Sequence, residues 1–169
     1  MILESYKKKR DFKKTPEPPY AKASGGGPRA DKLIFVIHEH HASHLHWDFR
    51  LEMEGVLRSW AVPKGPSFDP KTKRLARLVE DHPLDYASFS GIIPKGQYGA
   101  GKVEIWDKGT YEPQSKESKN KKELGKIVQS QFEDGRIHIQ MYGKRMKGGW
   151  ALIRTKDPKN RLLFKIKNG

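Results

Sequence analysis

From Leu45 to Met53 the chain alternates without a break. Leu45, Trp47, Phe49, Leu51 and Met53 fall on one face of a strand, and His46, Asp48, Arg50 and Glu52 on the other. Residues 33–37 read as an earlier strand; if it continues to His40, then His38 and His40 share a face. The link His41-Ala42-Ser43-His44 would fold the two strands into a hairpin that brings His40 beside His46 and Asp48. The same reading predicts strands over 56–62, 75–80, 102–107, 127–132, 137–142, 150–155 and 162–166. Glu54-Gly55, Glu133-Asp134-Gly135 and residues 157–160 are turn signals, Pro63 and Asp81-His82-Pro83 end strands, and Gly148-Gly149 interrupts the chain before Trp150. Residues 64–70 form a proline-framed rigid loop. Residues 114–126 are polar and lysine-rich, a loop with one weak helical turn at most.

Short strands joined by tight turns, with no strong helical period, predict a mainly β fold. The expected architecture is a closed or nearly closed antiparallel β-barrel of about eight strands with little helix and an extended N-terminal arm. Residues 1–30 form the arm. Lys7-Lys8-Lys9-Arg10 is basic, Thr15-Pro16-Glu17-Pro18-Pro19 cannot be regular helix, and Gly25-Gly26-Gly27-Pro28 is a flexible joint. Residues 31–169 form the single barrel domain. A length of 169 residues suits that division, and the 35% apolar share is concentrated in the alternating blocks.

The chain has no cysteine, which excludes disulfides, thiolate zinc sites and cysteine nucleophiles. No stretch approaches the roughly 20 apolar residues of a membrane span, and the first residues lack a signal peptide's apolar middle, so a cytoplasmic, nucleoid-associated monomer is expected. A formal charge of +14 and a pI near 9.9 point to a polyanionic partner, with nucleic acid ahead of an anionic membrane.

Charge changes the meaning of the first hairpin. Five of the seven histidines lie between His38 and His46. Single histidines are mostly hydrogen-bonded surface residues, but two imidazoles and a carboxylate at His40, His46 and Asp48 make a three-ligand set. Such a set leaves positions open, as catalytic metals require. His41 and His44, in the turn, read as rim residues. Arg50, on the same face, can fork to two phosphate oxygens, with Lys64 and Arg74 as second contacts. His82 suits transition-state stabilisation, protonation of a leaving group, or merely a strand cap; Tyr86 suits a phosphate donor or a half-buried core tyrosine. The glycine-rich 93–101 stretch fits a close approach to phosphate and a barrel corner equally.

Several blocks, in order, resemble one family. His-x-x-Ser-x-Leu-His-Trp-Asp-Phe-Arg at 40–50, Ser-Trp-Ala-Val-Pro-Lys-Gly-Pro at 59–66, Glu-Asp-His-Pro-Leu-Asp-Tyr at 80–86, Ile93-Pro94 and Tyr-Gly-Ala-Gly at 98–101 resemble the 3'-phosphoesterase domain of bacterial and archaeal ligase D. The arm resembles that family's entry segment through Lys9-Arg10-Asp11-Phe12 and Thr15-Pro16-Glu17-Pro18. The resemblance implies a Mn2+-dependent hydrolase, with Co2+ or Zn2+ as substitutes. It would remove a 3'-terminal ribonucleoside and then the 3'-phosphate from a DNA or DNA-RNA primer-template, leaving a 3'-hydroxyl for end joining. It further implies His40, His46 and Asp48 as metal ligands, with Arg50, His82 and Tyr86 completing the site and Lys64 and Arg74 as phosphate contacts. Arg10, Asp11 and Glu17 join from the arm. His38 stands where the family pattern has glutamine, and is carried as a site residue with an open role. Without ligase or polymerase regions, the chain resembles a stand-alone form that would work with a separate ligase and end-joining proteins. Two other classes compete: a non-haem Fe(II) oxygenase built on His46-x-Asp48 and His138, and a nucleic-acid-binding barrel without catalysis.

Overall fold

The computed structural model describes residues 3–19, 31–114 and 120–167. Nine strands form one antiparallel sheet: β1 (Leu33–His41), β2 (Leu45–Met53), β3 (Val56–Val62), β4 (Arg74–Leu78), β5 (Gly91–Ile93), β6 (Gly101–Pro113), β7 (Arg136–Tyr142), β8 (Lys147–Arg154) and β9 (Asn160–Lys165). Eight of them run β1-β2-β3-β4-β9-β8-β7-β6 and close through β1 and β6. The short β5 pairs with the other edge of the first residues of β6. Closure removes the exposed edges that an open sheet would present. Among the described residues no helix is long and apolar enough to cross a membrane.

The alternation read in the sequence sorts residues between two cores. Leu33, Phe35, Ile37, Phe49, Leu51, Met53, Trp60 and Val62 point into the barrel and pack with β7, β8 and β9. Their neighbours Val36, Leu57 and Val103 point outward and lie under Tyr6, Tyr86, Phe89 and Ile93. This outer cover comes from a short helix α1 (Glu4–Lys8), the 3-10 helix Leu84–Ser88 and β5. The described part of the arm, 3–19, is therefore docked on the barrel wall, with Tyr6 fully buried. The glycine joint at 25–28 lies outside the described residues.

One expected strand is wrong. Residues 127–132 belong to helix α2 (Lys121–Asp134), which also takes up part of the expected loop; residues 115–119 lie outside the described residues. Ile127 and Val128 are β-branched and suggested a strand. However, Leu124, Val128 and Phe132 recur at the helical interval and close one end of the barrel. Asn120 caps the helix by accepting from the Lys122 N–H at 2.8 Å. The Glu133-Asp134-Gly135 signal marks the helix end and not a hairpin: Gly135 has φ 85° and its N–H reaches the Phe132 and Gln131 carbonyls. Gly148-Gly149 is no break either, because β8 runs through it, with Gly149 opposite Gln140.

Gly101 fixes the corner under the first hairpin. Its φ is +132°, and a Cβ there would stand 2.1 Å from the His41 carbonyl oxygen. Gly101→Ala is therefore expected to cost about 2–3 kcal/mol and to lower the midpoint of thermal unfolding by about 5–10 °C. Calorimetry showing a midpoint within 2 °C of wild type would contradict this packing.

Candidate metal and phosphate site

The hairpin register dictates the site. β1 and β2 pair so that His40 faces His46 and His38 faces Asp48, and β3 places Ser59 opposite Arg50. Because Trp47, Phe49 and Leu51 turn into the barrel, His46, Asp48 and Arg50 stand on the outer wall together with His38 and His40. The site therefore lies on the outside of a closed barrel.

His40 Nδ1 lies 3.4 Å from one Asp48 oxygen, and His46 Nε2 lies 3.3 Å from the other. Ligand atoms of all three lie within 4.8 Å of one another. Both imidazoles are oriented from behind. His40 donates from Nε2 to the Gly99 carbonyl at 2.7 Å, and His46 donates from Nδ1 to the His44 carbonyl at 3.1 Å. Those bonds leave the lone pairs of His40 Nδ1 and His46 Nε2 directed at Asp48, which is how metal-binding histidines are set. The donor set fits a divalent transition ion with open coordination positions. The glycine stretch thus serves as a corner at Gly101 and as a carbonyl support for a ligand at Gly99.

Arg50 borders this trio. Its Nη2 is 3.4 Å from Asp48, its Nε donates to His38 Nδ1 at 3.1 Å, and its Nη1 donates to Ser59 Oγ at 3.0 Å. His38 is itself held by the backbone: its Nε2–H donates to the Phe89 carbonyl at 2.9 Å. Burial, helped by the Arg50 charge, pushes the His38 imidazole down to about 3, so it is a neutral acceptor that holds Arg50. His38 is turned to Arg50 and Phe89 and not into the ligand trio. Burial raises the Asp48 carboxyl, but Arg50, His40 and His46 outweigh it and hold the group well below the usual range. The bond to Asp48 outweighs burial at His46 and raises its imidazole.

His82 and Tyr86 complete the wall. His82 Nδ1 lies 3.0 Å from the Glu80 carbonyl and 3.2 Å from Arg50 Nη1, so its tautomer decides which it serves. Burial, then the Arg50 and Arg10 charges, keep this imidazole neutral by pushing it well below its ordinary value. The Tyr86 ring packs beneath Arg50 and edge-on to His82, and its hydroxyl donates to Glu17 at 2.6 Å. Glu17 also accepts from Arg10 Nε at 3.0 Å and from Thr15 at 2.9 Å, while Arg10 Nη1 donates to Glu80 at 2.9 Å. A buried ionic chain thus runs from the arm to Tyr86.

Other expected residues lie elsewhere. Asp11 is exposed and accepts from the Lys13 N–H; Lys64 is exposed in the loop after β3. Arg74 opens β4 on the face that Ala76 turns into the barrel, and its Nε is buried without a partner. His41 pairs with Glu39 and is exposed, as is His44. Glu52 shares the outward face but accepts from the Ile34 N–H and pairs with Lys121. The alternative with His138 is not formed: His138 is exposed on β7, whose neighbours are β6 and β8, so it does not join His46 and Asp48. Sequence reading missed Ser59 and Glu80. The two-residue turn at Glu54-Gly55 fixes Ser59 opposite Arg50 and would have found it; Glu80 opens the 80–86 block, but nothing local marks it as the partner of Arg10.

A family model, the DNA Ligase D 3'-phosphoesterase domain, matches residues 38–154. The chain belongs to this family. As a ligase D 3'-phosphoesterase domain it is 47% identical over 156 residues to the multifunctional non-homologous end joining protein LigD of Pseudomonas aeruginosa, covering 90% of this chain and 17% of that protein. To the multifunctional non-homologous end joining DNA repair protein LigD of Mycobacterium tuberculosis it is 46% identical over 158 residues, covering 90% and 18%. To the LigD of Mycolicibacterium smegmatis it is 44% identical over 166 residues, covering 98% and 21%. The chain spans about a fifth of the length of these relatives.

Proposed function

We propose that this 3'-phosphoesterase domain heals DNA 3' ends in end-joining repair. Its substrates are a 3'-terminal ribonucleoside, removed by phosphodiester hydrolysis, and then the 3'-phosphate, removed to leave a 3'-hydroxyl. The observation that carries the reading is the shared Asp48 carboxylate, held between two pre-oriented imidazoles with the Arg50 guanidinium at its edge. His40, His46 and Asp48 hold the ion, Mn2+ by preference with Co2+ and Zn2+ as substitutes. A divalent ion held there supplies Lewis acidity to the phosphate oxygens.

Arg50 binds the same phosphate. Its Nε and Nη1 are fixed by His38 and Ser59, so Nη2 is the edge left to meet an oxygen beside the trio, with no reorganisation when charge develops. In hydrolysis water adds to phosphorus and gives up a proton to solvent, the bond to the leaving oxygen breaks, and that oxygen takes a proton from solvent while His82 supplies a hydrogen bond. When His82 Nδ1 accepts from Arg50, its Nε2 carries the hydrogen and is a neutral donor for the phosphate or leaving oxygen. Tyr86, tied to Glu17, sets the floor on which Arg50 and His82 rest. Arg10 and Glu17 make residues 1–30 a working part of the site, whereas 31–169 form the phosphoesterase barrel. Lys64 and Arg74 contact phosphates farther along the strand. The partners are DNA or DNA-RNA primer-templates in the cytoplasm and a ligase that seals the product.

The test is a primer-template carrying a 3'-phosphate or one 3'-ribonucleotide, incubated with Mn2+ and compared with His46→Ala protein. Wild type releases phosphate and shortens the ribonucleotide end, and the variant is slower by roughly 100-fold or more. No product under any divalent metal, or an equally active variant, overturns the proposal.

A further inference from the structure

The barrel end opposite α2 is formed by the loop between β3 and β4, the turn between β7 and β8, and the end of β9. Phe68, at the tip of that loop, stacks on Trp106 with ring centroids 6.3 Å apart and planes at 28°, and meets Trp150 edge-on at 5.7 Å. Yet the ring remains 49% exposed. A side chain that merely plugged the barrel would bury itself. This one covers Trp150 with one side and offers the other to solvent.

The ring is also held still. Ser67, Asp69 and Thr72 bond within the loop, with the Asp69 carboxylate accepting from the Lys71 N–H at 3.0 Å. Opposite, the buried Asp107 carboxylate accepts from the N–H groups of Lys144, Arg145 and Met146 at 2.7–3.0 Å. That turn sets the Arg145 guanidinium 4.7 Å from the centre of the Trp106 ring. Lys73 lies over Phe164 at 5.1 Å and Lys165 over Trp150 at 6.0 Å. Lys71, Lys144 and Lys147 stand exposed on the same end, and the one exposed carboxylate in the loop, Asp69, is occupied by its own turn.

The metal trio stands at this end too. His46 and Asp48 flank Trp47, which turns inward against Gly65 of the same loop. The loop that carries Phe68 thus packs against the strand that carries His46 and Asp48.

We propose that the Phe68 platform and its basic rim bind a single-stranded stretch of the DNA substrate, one base stacking on Phe68 and its phosphates meeting Arg145 and the rim lysines. A fixed aromatic face ringed by cations is the arrangement that takes single strands without sequence preference. The inference rests on the nucleic-acid reading above and adds where the strand goes. Its test compares Phe68→Leu, which keeps the apolar plug, with Phe68→Tyr, which keeps the π-face. Fluorescence anisotropy in EDTA reads binding of a labelled oligothymidine and of a blunt duplex, with no hydrolysis involved. Phe68→Leu weakens oligothymidine binding about five- to tenfold and Phe68→Tyr stays within about twofold, with blunt-duplex binding nearly unmoved in both. Equal binding by the two variants overturns the inference, and so does an equal loss on blunt duplex. Wild-type protein that binds DNA but heals no 3' end sinks the proposed function and leaves this one standing.

Discussion

Asp48→Ala protein is expected to lose divalent-metal binding and roughly 1,000-fold of 3'-end hydrolysis, equivalent to about 4 kcal/mol of transition-state stabilisation. Asp48 is the one group shared by both histidines and Arg50, at 3.3–3.4 Å from each. Its removal takes a ligand from the ion and the counter-charge from a buried guanidinium. Titration calorimetry with Mn2+ reads the first loss and the primer-template assay the second; metal affinity or activity within about tenfold of wild type would contradict the role assigned to Asp48. The ion-free protein carries a pH signature. The folded carboxyl lies below its unfolded range, so its contribution to stability is present above that range. The contribution fades as pH falls through the folded value. The stability gap between wild type and Asp48→Asn, followed by urea unfolding, should therefore narrow on acidification.

Glu17→Ala should be the most damaging substitution in the arm. Glu17 is 3% exposed and accepts from Arg10, Thr15 and Tyr86 at once. Without it Arg10 keeps one carboxylate, Glu80, beside the Tyr6 carbonyl, and the buried Tyr86 hydroxyl has lost its acceptor. Breaking a buried pair costs about 3–5 kcal/mol, so the unfolding midpoint should fall by roughly 10 °C. Glu17→Gln, which still accepts from Tyr86, should recover part of that loss. Scanning calorimetry decides it: an Ala variant melting with wild type would mean that the arm is not held through this carboxylate.

The outward face of β2 was legible because strand alternation is rigid: once Trp47, Phe49 and Leu51 are inside, His46, Asp48 and Arg50 have nowhere else to point. The short link before Leu45 and the partner strand then placed His40. Helix α2 was misread because β-branched Ile127 and Val128 outweighed the four-residue spacing of Leu124, Val128 and Phe132, which only the barrel end makes meaningful. His38 shows the other limit. Its place beside a ligand on the same face suggested chemistry, whereas its partners, Arg50 and the Phe89 carbonyl, come from separate elements. Nor does any local pattern announce that Arg10 reaches Glu80 or that Tyr86 reaches Glu17; those contacts join segments 70 and 69 residues apart.

That difference in span divides the site into halves with unequal entropic cost. The ligand trio comes from one hairpin whose closing loop is three residues long, so its assembly asks little beyond forming β1 and β2. The arm's ionic chain must close loops of about 70 residues before it gains anything. The proposed metal affinity is thus set largely by one hairpin, with the Gly99 carbonyl as its one distant support. The setting of Tyr86 and His82 reports whether the chain's first residues have come home.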